Sequence, residues 1–236
     1  MHLPIKGTEL PPLLKARIGW LNIARMEHRS ILEAIARHSV SMCGPLLDVG
    51  CGEKPYRHLF PHIDNYIGVD SFFCESIDLR ANACNLPFKD GAFGTVLVTQ
   101  VLFEIRQPET FFREIYRILR PGGHVLMTEP QSWGLMRYPE VDYWRFTDKG
   151  ITLLAESAGF EVISIEPRGG KWMLIGTRLS SAIWSSLRVR RFTRRYALGF
   201  GRIVCAVLQS LFGLLDKIDY DPGDTLGWCF VGRKPL

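Results

Sequence analysis

The sequence predicts an α/β protein with a doubly wound, mostly parallel sheet that is flanked by helices. Seven short apolar segments alternate with segments of helical period along the 236 residues. Such alternation is typical of parallel sheets with helices on both faces. At residues 46–52, LLDVGCG, a buried strand runs into a Gly-x-Gly turn, where a ligand can approach bare backbone and its amide N–H groups.

The expected strands occupy seven places, which are residues 46–49, 66–70, 77–79, 95–99, 124–128, 160–165 and 226–233. Helical period predicts one long helix over residues 13–39 and a short helix that opens at Pro55. A third helix is expected over residues 108–120, and a fourth from the cap Thr147 to Ala158.

A chain of this length and composition can bury the core of one domain, here residues 1–236. Residues 1–45 are expected to form an N-terminal helical arm. Residues 167–225 are expected to form an apolar and basic helical insertion before the last strand.

The net charge of +5 is unevenly placed along the chain. Residues 168–215 contain nine basic side chains and no acidic one, so the remaining chain carries a net −4. This asymmetry predicts an anionic partner, such as an anionic membrane surface, for residues 168–215 alone.

The cysteines and the N-terminus indicate a reduced, cytoplasmic protein. None of the six cysteines forms a C-x-x-C pair, and the first residues have no apolar signal-peptide core. His58 and His62 are four residues apart, but Pro61 lies between them, so no metal site is expected.

The glycine turn does not match the dinucleotide fingerprint G-x-G-x-x-G, because its third glycine would fall at Pro55. Asp70 lies 22 residues after Asp48, at the end of the second strand. An acidic residue there can accept hydrogen bonds from both hydroxyls of a ribose. The pattern therefore predicts an adenosine-type ligand that lacks a pyrophosphate.

Four stretches of this sequence resemble the class I S-adenosylmethionine-dependent methyltransferases of the small-molecule type. They are LLDVGCG at 46–52, YIGVD at 66–70, NACNLPFKDGAFGTVLV at 82–98 and FFREIYRILRPGGHVLMTEP at 111–130. Their order and spacing are those of the family. The resemblance implies a Rossmann-like sheet of seven strands whose last strand is antiparallel.

The resemblance also implies S-adenosylmethionine as the cofactor. It places Asp48 near the methionine end, Asp70 at the ribose and Asn82, with Ala83, at the adenine. The complete set of implied cofactor residues is Asp48, Gly50, Cys51, Gly52, Asp70, Ser71, Asn82, Ala83 and Gln100.

The implied reaction is methyl transfer by direct in-line displacement to a small-molecule, sugar or lipid-linked acceptor. A sulfonium methyl group is already activated, so the protein must mainly align the reactants and exclude water. The resemblance assigns no catalytic residue, and the candidates are Glu104, Asp142, Tyr143 and Arg145.

The segment RYPEVDYWRFT, residues 137–147, follows the fifth strand, at the edge of the sheet where ligands bind in such folds. Two interpretations remain open. Tyr143, Trp144 and Arg145 shape the acceptor pocket, or they pack and pin the loop before the next helix.

Three departures from the family pattern affect the functional prediction. Lys54 stands where a third glycine is common, and the turn is expected to tolerate it because only the two leading glycines are needed. Gly94 replaces a usual Asp, and Phe103-Glu104 replaces a usual Glu-His pair. The last two departures suggest an alternative function, a binding module at a membrane or partner protein that has lost the chemistry.

Three interpretations of the insertion also remain open. It is a helical cap or dimer contact, an interfacial pair of membrane helices with arginines at the lipid headgroups, or a nucleic-acid-binding segment. Nucleic acid is disfavoured because the basic run belongs to no recognisable domain. A membrane span is disfavoured because the apolar residues 196–215 include Arg202 and Gln209. The second interpretation predicts a cytoplasmic protein at the inner face of a membrane; no oligomeric state is predicted.

Overall fold

The computed structural model describes residues 11–132, 134, 141–189 and 194–236, and for 188–189 and 194–197 it describes the backbone alone. Within these residues seven strands form one sheet, in the order β3-β2-β1-β4-β5-β7-β6. The strands are β1 Leu46–Val49, β2 Tyr66–Asp70, β3 Leu79–Arg80, β4 Phe93–Thr99, β5 Leu119–Pro130, β6 Glu161–Pro167 and β7 Gly227–Arg233. Strands β1 to β5 pair in parallel, and β7 pairs antiparallel with β5. The predicted fold class is therefore confirmed, including the antiparallel last strand.

Six α-helices lie in the described part of the chain. They are α1 Pro12–Ile18, α2 Arg25–Ser39, α3 Pro108–Ile118, α4 Asp148–Ser157, α5 Lys171–Val189 and α6 Arg194–Ile218. Thr147 caps α4 as predicted, since its hydroxyl accepts a hydrogen bond from the N–H of Gly150 at 3.1 Å.

The single helix predicted over residues 13–39 is wrong, because the chain forms α1 and α2 with a break between them. Gly19 ends α1 in extended backbone, with φ −57° and ψ 145°. The side-chain oxygen of Asn22 then accepts a hydrogen bond from the N–H of Ala24 at 2.8 Å. Such a local side-chain bond competes with the helical hydrogen-bond pattern, and apolar periodicity does not show it.

The helix predicted to open at Pro55 is also wrong, since only a three-residue 3-10 turn forms, at Arg57–Leu59. The turn ends where Phe60 takes φ −123° and ψ 53°, directly before Pro61. Several boundaries also differ from the prediction. The third strand lies at Leu79–Arg80 rather than 77–79, and β5 begins at Leu119 because that residue is already extended.

The core lies between the central strands and the apolar face of α3. The side chains of α3 that face the sheet are fully buried, and they are Phe111, Phe112, Ile115 and Ile118. Phe112 packs edge-on against Phe160 and Phe230, with ring centroids 6.4 and 6.3 Å apart. This layer holds β4, β5 and β7 in place beneath the carboxyl ends of the strands.

The described residues form two compact units. One contains residues 34–166 and 227–236, and therefore the whole sheet. The other contains residues 11–33 and 167–226, so the insertion packs with the N-terminal helices. In the sheet unit the strand order reverses between β1 and β4, and ligands bind at such a switch point in open α/β sheets.

Candidate active site

A cavity of about 1060 Å³ lies at the carboxyl ends of β1, β2 and β4, at the switch point of the sheet. Six of the nine implied cofactor residues line it, and they are Gly50, Asp70, Ser71, Asn82, Ala83 and Gln100. Glu104, a candidate catalytic residue, also lines it. Residues that lie far apart in the sequence thus meet in one concave site of the size of a cofactor pocket.

The other predicted site residues do not line this cavity. Asp48, Cys51 and Gly52 lie in or beside the glycine turn, but not on the cavity wall. The same holds for the four loop residues Asp142, Tyr143, Trp144 and Arg145, although the preceding Val141 does line the cavity.

Gly50 is required by two features of the turn. Its φ is +69°, and a Cβ at this position would overlap Cγ2 of Val101. The N–H groups of residues 50–52, however, are already bonded within the protein. The N–H groups of Gly50 and Cys51 donate to the carbonyl of Val69 at 2.8 and 3.1 Å, and that of Gly52 donates to Asp70. The turn therefore presents a bare Cα surface instead.

The turn accommodates Lys54 as expected, but not for the expected reason, because position 54 also takes a positive φ. Gly52 has φ +48°, and Lys54 has φ +50° although it carries a side chain. The Lys54 side chain passes over Gly68 and forms an ion pair with Asp78 at 2.5 Å. Asp78 also accepts the N–H of Gly68 at 2.7 Å. These contacts offset the strain at position 54 and tie the turn to β2.

Asp70 lies at the end of β2 with its carboxyl group between two backbone segments. One oxygen accepts the N–H of Gly52 at 3.0 Å and the other accepts the N–H of Phe72 at 2.9 Å. A carboxylate has about four acceptor positions, so the group retains capacity for a ligand. The two bonds fix the orientation of the carboxyl group at the cavity wall.

Asp48 is only 1% exposed and accepts a hydrogen bond from the hydroxyl of Tyr66 at 2.6 Å. Burial raises the pKa of Asp48 to about 7, although the Tyr66 bond and the charge of Lys54 oppose the shift. Burial also raises the pKa of the Cys51 thiol to about 12. A thiol with this pKa stays protonated at neutral pH and is therefore not a nucleophile.

Asn82 lies at the start of a short turn on the cavity wall. Its side-chain oxygen accepts the N–H of Cys84 at 2.9 Å, and its backbone carbonyl accepts the N–H of Asn85 at 2.9 Å. The side-chain NH₂ group is thereby directed away from that bond. An Asn in this position can donate a hydrogen bond to a ring nitrogen, which an ionised Asp cannot do.

The wall that follows β4 is held from β5. Glu129 is buried, and its carboxyl group accepts the N–H groups of Val101, Leu102 and Phe103 at 3.1, 2.7 and 3.2 Å. Just before them Gln100 has φ +57°, and its N–H donates to the carbonyl of Thr128 at 2.8 Å. Non-glycine residues with such backbone angles cluster at functional sites.

Glu104 is half-buried on the cavity wall, one turn after Gln100. Burial raises the pKa of Glu104 to about 7, and the negative charges of Asp70 and Asp142 contribute to the shift. A carboxyl group with a pKa near neutrality can both hold and release a proton at the working pH.

The described part of the predicted acceptor loop, 141–147, is attached to the wall after β4; residues 137–140 lie outside the described residues. The N–H groups of Tyr143 and Trp144 donate to the carbonyl of Phe103 at 2.9 and 3.2 Å. The indole N–H of Trp144 donates to the carbonyl of Ile105 at 2.8 Å. These contacts fit the interpretation in which Trp144 packs and holds the loop in place before the next helix.

Arg145 forms a two-pronged ion pair with Asp142, one contact being 2.8 Å, and its guanidinium lies 5.6 Å from the ring centre of Phe103. Asp142 and Arg145 thus neutralise each other within the loop. The Tyr143 side chain is instead about half exposed, which leaves its hydroxyl available to an acceptor.

Two departures from the family pattern have structural reasons. A Cβ at Gly94 would lie 2.7 Å from the carbonyl oxygen of Gly44 and 2.9 Å from that of Cys43, so an Asp has no room there. Gly94 is also at the start of β4, at the opposite end from the cavity. Phe103 is buried beneath Arg145. Neither departure favours the alternative of a fold that has lost its chemistry.

Sequence reasoning missed several residues of the cavity wall. Phe72 follows Asp70 and lines the cavity while half exposed, and Arg80 and Val101 line it as well. An exposed aromatic pair directly after the strand-end acid, as in DSFF, is the signal that identifies Phe72. No pattern in the neighbouring sequence identifies Val101 as a cavity residue, because its position depends on its contact with the distant Gly50.

A family model described as a methyltransferase domain matches residues 47–127. An S-adenosylmethionine-dependent methyltransferase of Mycolicibacterium smegmatis is 26% identical over 176 residues, 68% of this chain and 66% of that protein. A demethylmenaquinone methyltransferase of Streptomyces griseus is 46% identical over 60 residues, 25% of this chain and 26% of that protein.

The chain therefore spans only about a quarter of the Streptomyces protein and 66% of the Mycolicibacterium one. Among solved structures, a SAM-dependent methyltransferase from Archaeoglobus fulgidus has a TM-score of 0.55 at 14% identity, covering 95% of this chain and 100% of that one. At this identity the structural likeness shows the fold alone. Residues 47–127 are thus similar to a methyltransferase domain, and the solved structures show that the chain has a Rossmann-like fold of the same kind.

Proposed function

We propose that this protein transfers the methyl group of S-adenosylmethionine, by direct in-line displacement, to a small-molecule, sugar or lipid-linked acceptor. A fold of this kind does not by itself fix the reaction. The observation that carries the proposal is the position of Asp70. Its oriented carboxyl group lies beside the bare Gly50 turn, on a cavity at the switch point of the sheet.

The residues of the cavity fit the cofactor. Asp70 would accept the ribose hydroxyls through its remaining acceptor positions, and Gly50 allows close approach of the ligand to the backbone. Asn82 and Ala83 would border the adenine, with Asn82 donating to a ring nitrogen. Ser71 and Gln100 complete the wall. The cofactor, when bound, supplies a methyl group that its positive sulfonium has already activated.

The protein's own part in the reaction is to position the acceptor and to receive its proton. Glu104 is our candidate for the proton acceptor, because it lines the cavity and its pKa is raised to about 7. Asp142 and Arg145 act instead as positioning residues that hold the loop near Phe103. Tyr143 is then the loop residue that contacts the acceptor.

The acceptor class is proposed from the relatives and from the helical insertion. The Streptomyces relative is a demethylmenaquinone methyltransferase, which acts on a quinone. In this chain α6 includes Leu198–Ile218, a segment long and apolar enough, by length and composition alone, to cross a membrane. We therefore propose a lipid-linked or similarly apolar acceptor, and a cytoplasmic protein that meets it at the inner face of a membrane through residues 168–215.

Calorimetry with S-adenosylhomocysteine tests the cofactor site. Asp70→Ala removes two charge-assisted hydrogen bonds, so the affinity should fall by about 100-fold or more. Asp64→Ala, at an exposed position of the same sheet unit, is the matched control and should bind like the wild type. Absence of binding by the wild type, or equal binding by Asp70→Ala, would contradict the proposal.

The acceptor itself is identified by incubating a native extract with the protein and deuteromethyl S-adenosylmethionine. Mass spectrometry should find one labelled class of compounds that is absent when Asp70→Ala replaces the wild type. If the wild type binds the cofactor but labels nothing in extracts that include the membrane fraction, methyl transfer is contradicted while the cofactor site is not.

A further inference from the structure

Helix α6 turns its large apolar side chains outward. Six of them lie on one stripe at steps of three and four residues and are 48–73% exposed: Phe200, Ile203, Val207, Leu211, Leu214 and Ile218. In a helix that packs on a water-soluble core these side chains would face inward. We refer to these six residues as the α6 stripe.

The inward face of α6 is built from small residues. A Cβ at Gly201 would overlap Cδ1 of Leu187, and the Cys205 thiol approaches the carbonyl of Ser180 at 3.4 Å. On α5, a Cβ at Gly176 would lie 2.5 Å from Cβ of Phe212. Small residues let two helix backbones approach closely, as they do where helices associate in lipid.

Polar side chains of α6 also face inward, where they are fully used. Gln209 is buried; its side chain accepts the N–H of Met26 at 3.1 Å and donates to the carbonyl of Asn22 at 3.1 Å. Asp216 is buried and accepts the N–H groups of Gly170 and Met173, both at 3.0 Å. The inner face of α6 thus carries small and polar side chains, whereas the α6 stripe exposes large apolar ones, the reverse of the arrangement that water favours.

We propose that the α6 stripe lies in the surface layer of an anionic lipid bilayer, with the helix axis parallel to the membrane plane. The inference deepens the membrane contact suggested under the proposed function, but it does not require methyl transfer. Moving the six apolar side chains of the α6 stripe from water into the boundary between headgroups and acyl chains lowers the free energy.

The surrounding charges select lipid over a second copy of the chain. Residues 168–215 carry nine basic and no acidic side chains, so two copies facing each other would repel. The exposed Arg202 lies 5.5 Å from the ring centre of Trp184, and both border a groove with Trp20 and Leu21. Tryptophan and arginine beside an apolar surface are typical of the layer between lipid and water.

Two of the nine basic residues are not available to lipid headgroups. Arg168 is buried and forms an ion pair with Glu27 at 3.0 Å, and it also donates to the Ser30 hydroxyl. Lys171 pairs with Asp219 at 3.0 Å. The predicted anionic contact of residues 168–215 therefore excludes the start of α5. Residues 190–193, and the side chains of Arg188, Arg194 and Arg195, lie outside the described residues.

The packing of α6 favours a position in the plane of the membrane over a span. A spanning helix meets lipid or other helices on all sides, whereas Gln209 and Asp216 hold one face of α6 against its own unit. Arg202 and Lys217 are exposed within the apolar segment, and charges at such depth in a span are costly.

Vesicle flotation with the full chain tests the inference. The wild type should float with vesicles of phosphatidylglycerol and phosphatidylcholine, and less with phosphatidylcholine alone. The triple variant Ile203→Ser, Val207→Ser and Leu211→Ser should lose about tenfold or more of the bound fraction. The matched control replaces three exposed apolar residues elsewhere, Val40→Ser, Leu153→Ser and Ile163→Ser, and should float like the wild type.

Every other outcome decides against the inference. A wild type that stays in the soluble fraction, or a stripe variant that floats equally well, overturns it. A wild-type dimer that the stripe variant converts to a monomer, without flotation, assigns the stripe to a second copy. Retention in membranes after an alkaline carbonate wash assigns it to a span. Calorimetry with S-adenosylhomocysteine separates the two proposals, because the stripe variant should bind it like the wild type.

Discussion

Two regions of this protein depart, in opposite directions, from the usual arrangement of apolar inside and polar outside. At the carboxyl ends of β1, β2 and β4 the chain buries acids, with Asp48 enclosed and Glu104 half enclosed. Along α6 it exposes six large apolar side chains while burying Gln209 and Asp216. Each departure lowers the stability of the protein in water. Each therefore indicates a binding partner whose contacts would make the same arrangement favourable.

The difference between the regions indicates the kind of partner. The first has converging polar groups on a concave wall, which suits a small and polar ligand. The second has a long, convex and featureless apolar stripe, which offers no directional contacts and suits an extended apolar phase. In both regions glycines allow close approach, of the Val101 side chain to Gly50 in the first and of α5 to α6 in the second.

Gly50→Ala tests whether the bare turn is a packing requirement, and we expect it to have the largest effect on stability. The added Cβ would overlap the Val101 side chain, and the alanine would have to keep the backbone angle φ of +69°. The free energy of unfolding should therefore fall by about 3 kcal/mol. Gly52→Ala has a similar φ but no atom within 4 Å, so only the backbone strain should remain, about 1 kcal/mol. Urea unfolding measures both. Equal losses in the two variants would show that the Val101 contact is unimportant.

Glu104→Gln tests whether the half-buried acid receives a proton. Because its pKa is raised to about 7, the wild-type kcat should fall as the pH drops below 7 and the carboxylate becomes protonated. The variant should lose this pH dependence and about 100-fold in kcat, with the affinity for S-adenosylhomocysteine unchanged. A lower cofactor affinity with an unchanged kcat would assign Glu104 to the cofactor instead. Glu109→Gln, on the exposed side of α3, is the control.

One substitution on α5 and one on α6 together test which face of α6 packs within the protein. Gly176→Ala places a Cβ 2.5 Å from Phe212 and should lower the free energy of unfolding by about 2 kcal/mol. Leu211→Ser removes a larger apolar group from the outward stripe, yet it should change stability in water by less than about 0.5 kcal/mol. Thermal unfolding without lipid measures both. A large loss for Leu211→Ser would mean that its side chain packs within the protein.

Asp48→Asn is expected to give a modest effect on stability, one that depends on pH. The pKa of Asp48 is raised to about 7 in the folded chain, so the folded state keeps a proton between about pH 4 and 7 that the unfolded state releases. Wild-type stability therefore falls as the pH rises through this range. The Asn side chain keeps an acceptor for Tyr66 but does not titrate. Its stability relative to the wild type should rise by about 1–2 kcal/mol from pH 5 to 7.

Urea unfolding at several pH values measures this trend. Asp64→Asn, at an exposed position, should show no such trend. A constant difference between Asp48→Asn and the wild type would show that Asp48 is ionised in the folded protein throughout.

The central strands could be predicted because their cause is local. A run rich in β-branched residues, such as residues 95–99, suits a strand that is buried on both faces, whatever surrounds it. The failures have distant causes. No local pattern shows that Lys54 spans β2 to reach Asp78, or that the side chain of Asn22 interrupts a helical period.

The same distinction applies to the two sites. Gly50, Asp70 and Asn82 could be predicted because they lie at or just after the ends of consecutive strands, and the structure brings all three to one cavity wall. Glu129 binds the backbone of Val101 from about 28 residues away, and Val101 packs against Gly50 from about 51 residues away. Sequence spacing does not reveal contacts at such separations. The stripe of α6 was visible in the sequence, but its outward direction depends on Gly176 of α5 and Gly201 of α6, which let the two helices approach closely.

The carboxyl group of Glu129 accepts three successive N–H groups at the start of the turn that bears Glu104. This clamp has a thermodynamic consequence for binding. A cavity wall that is already ordered loses little conformational entropy when a ligand binds. The entropy cost of binding then comes mainly from the ligand and from the more exposed Phe72. Loosening the clamp would therefore weaken binding through entropy, without removing a single contact between ligand and protein.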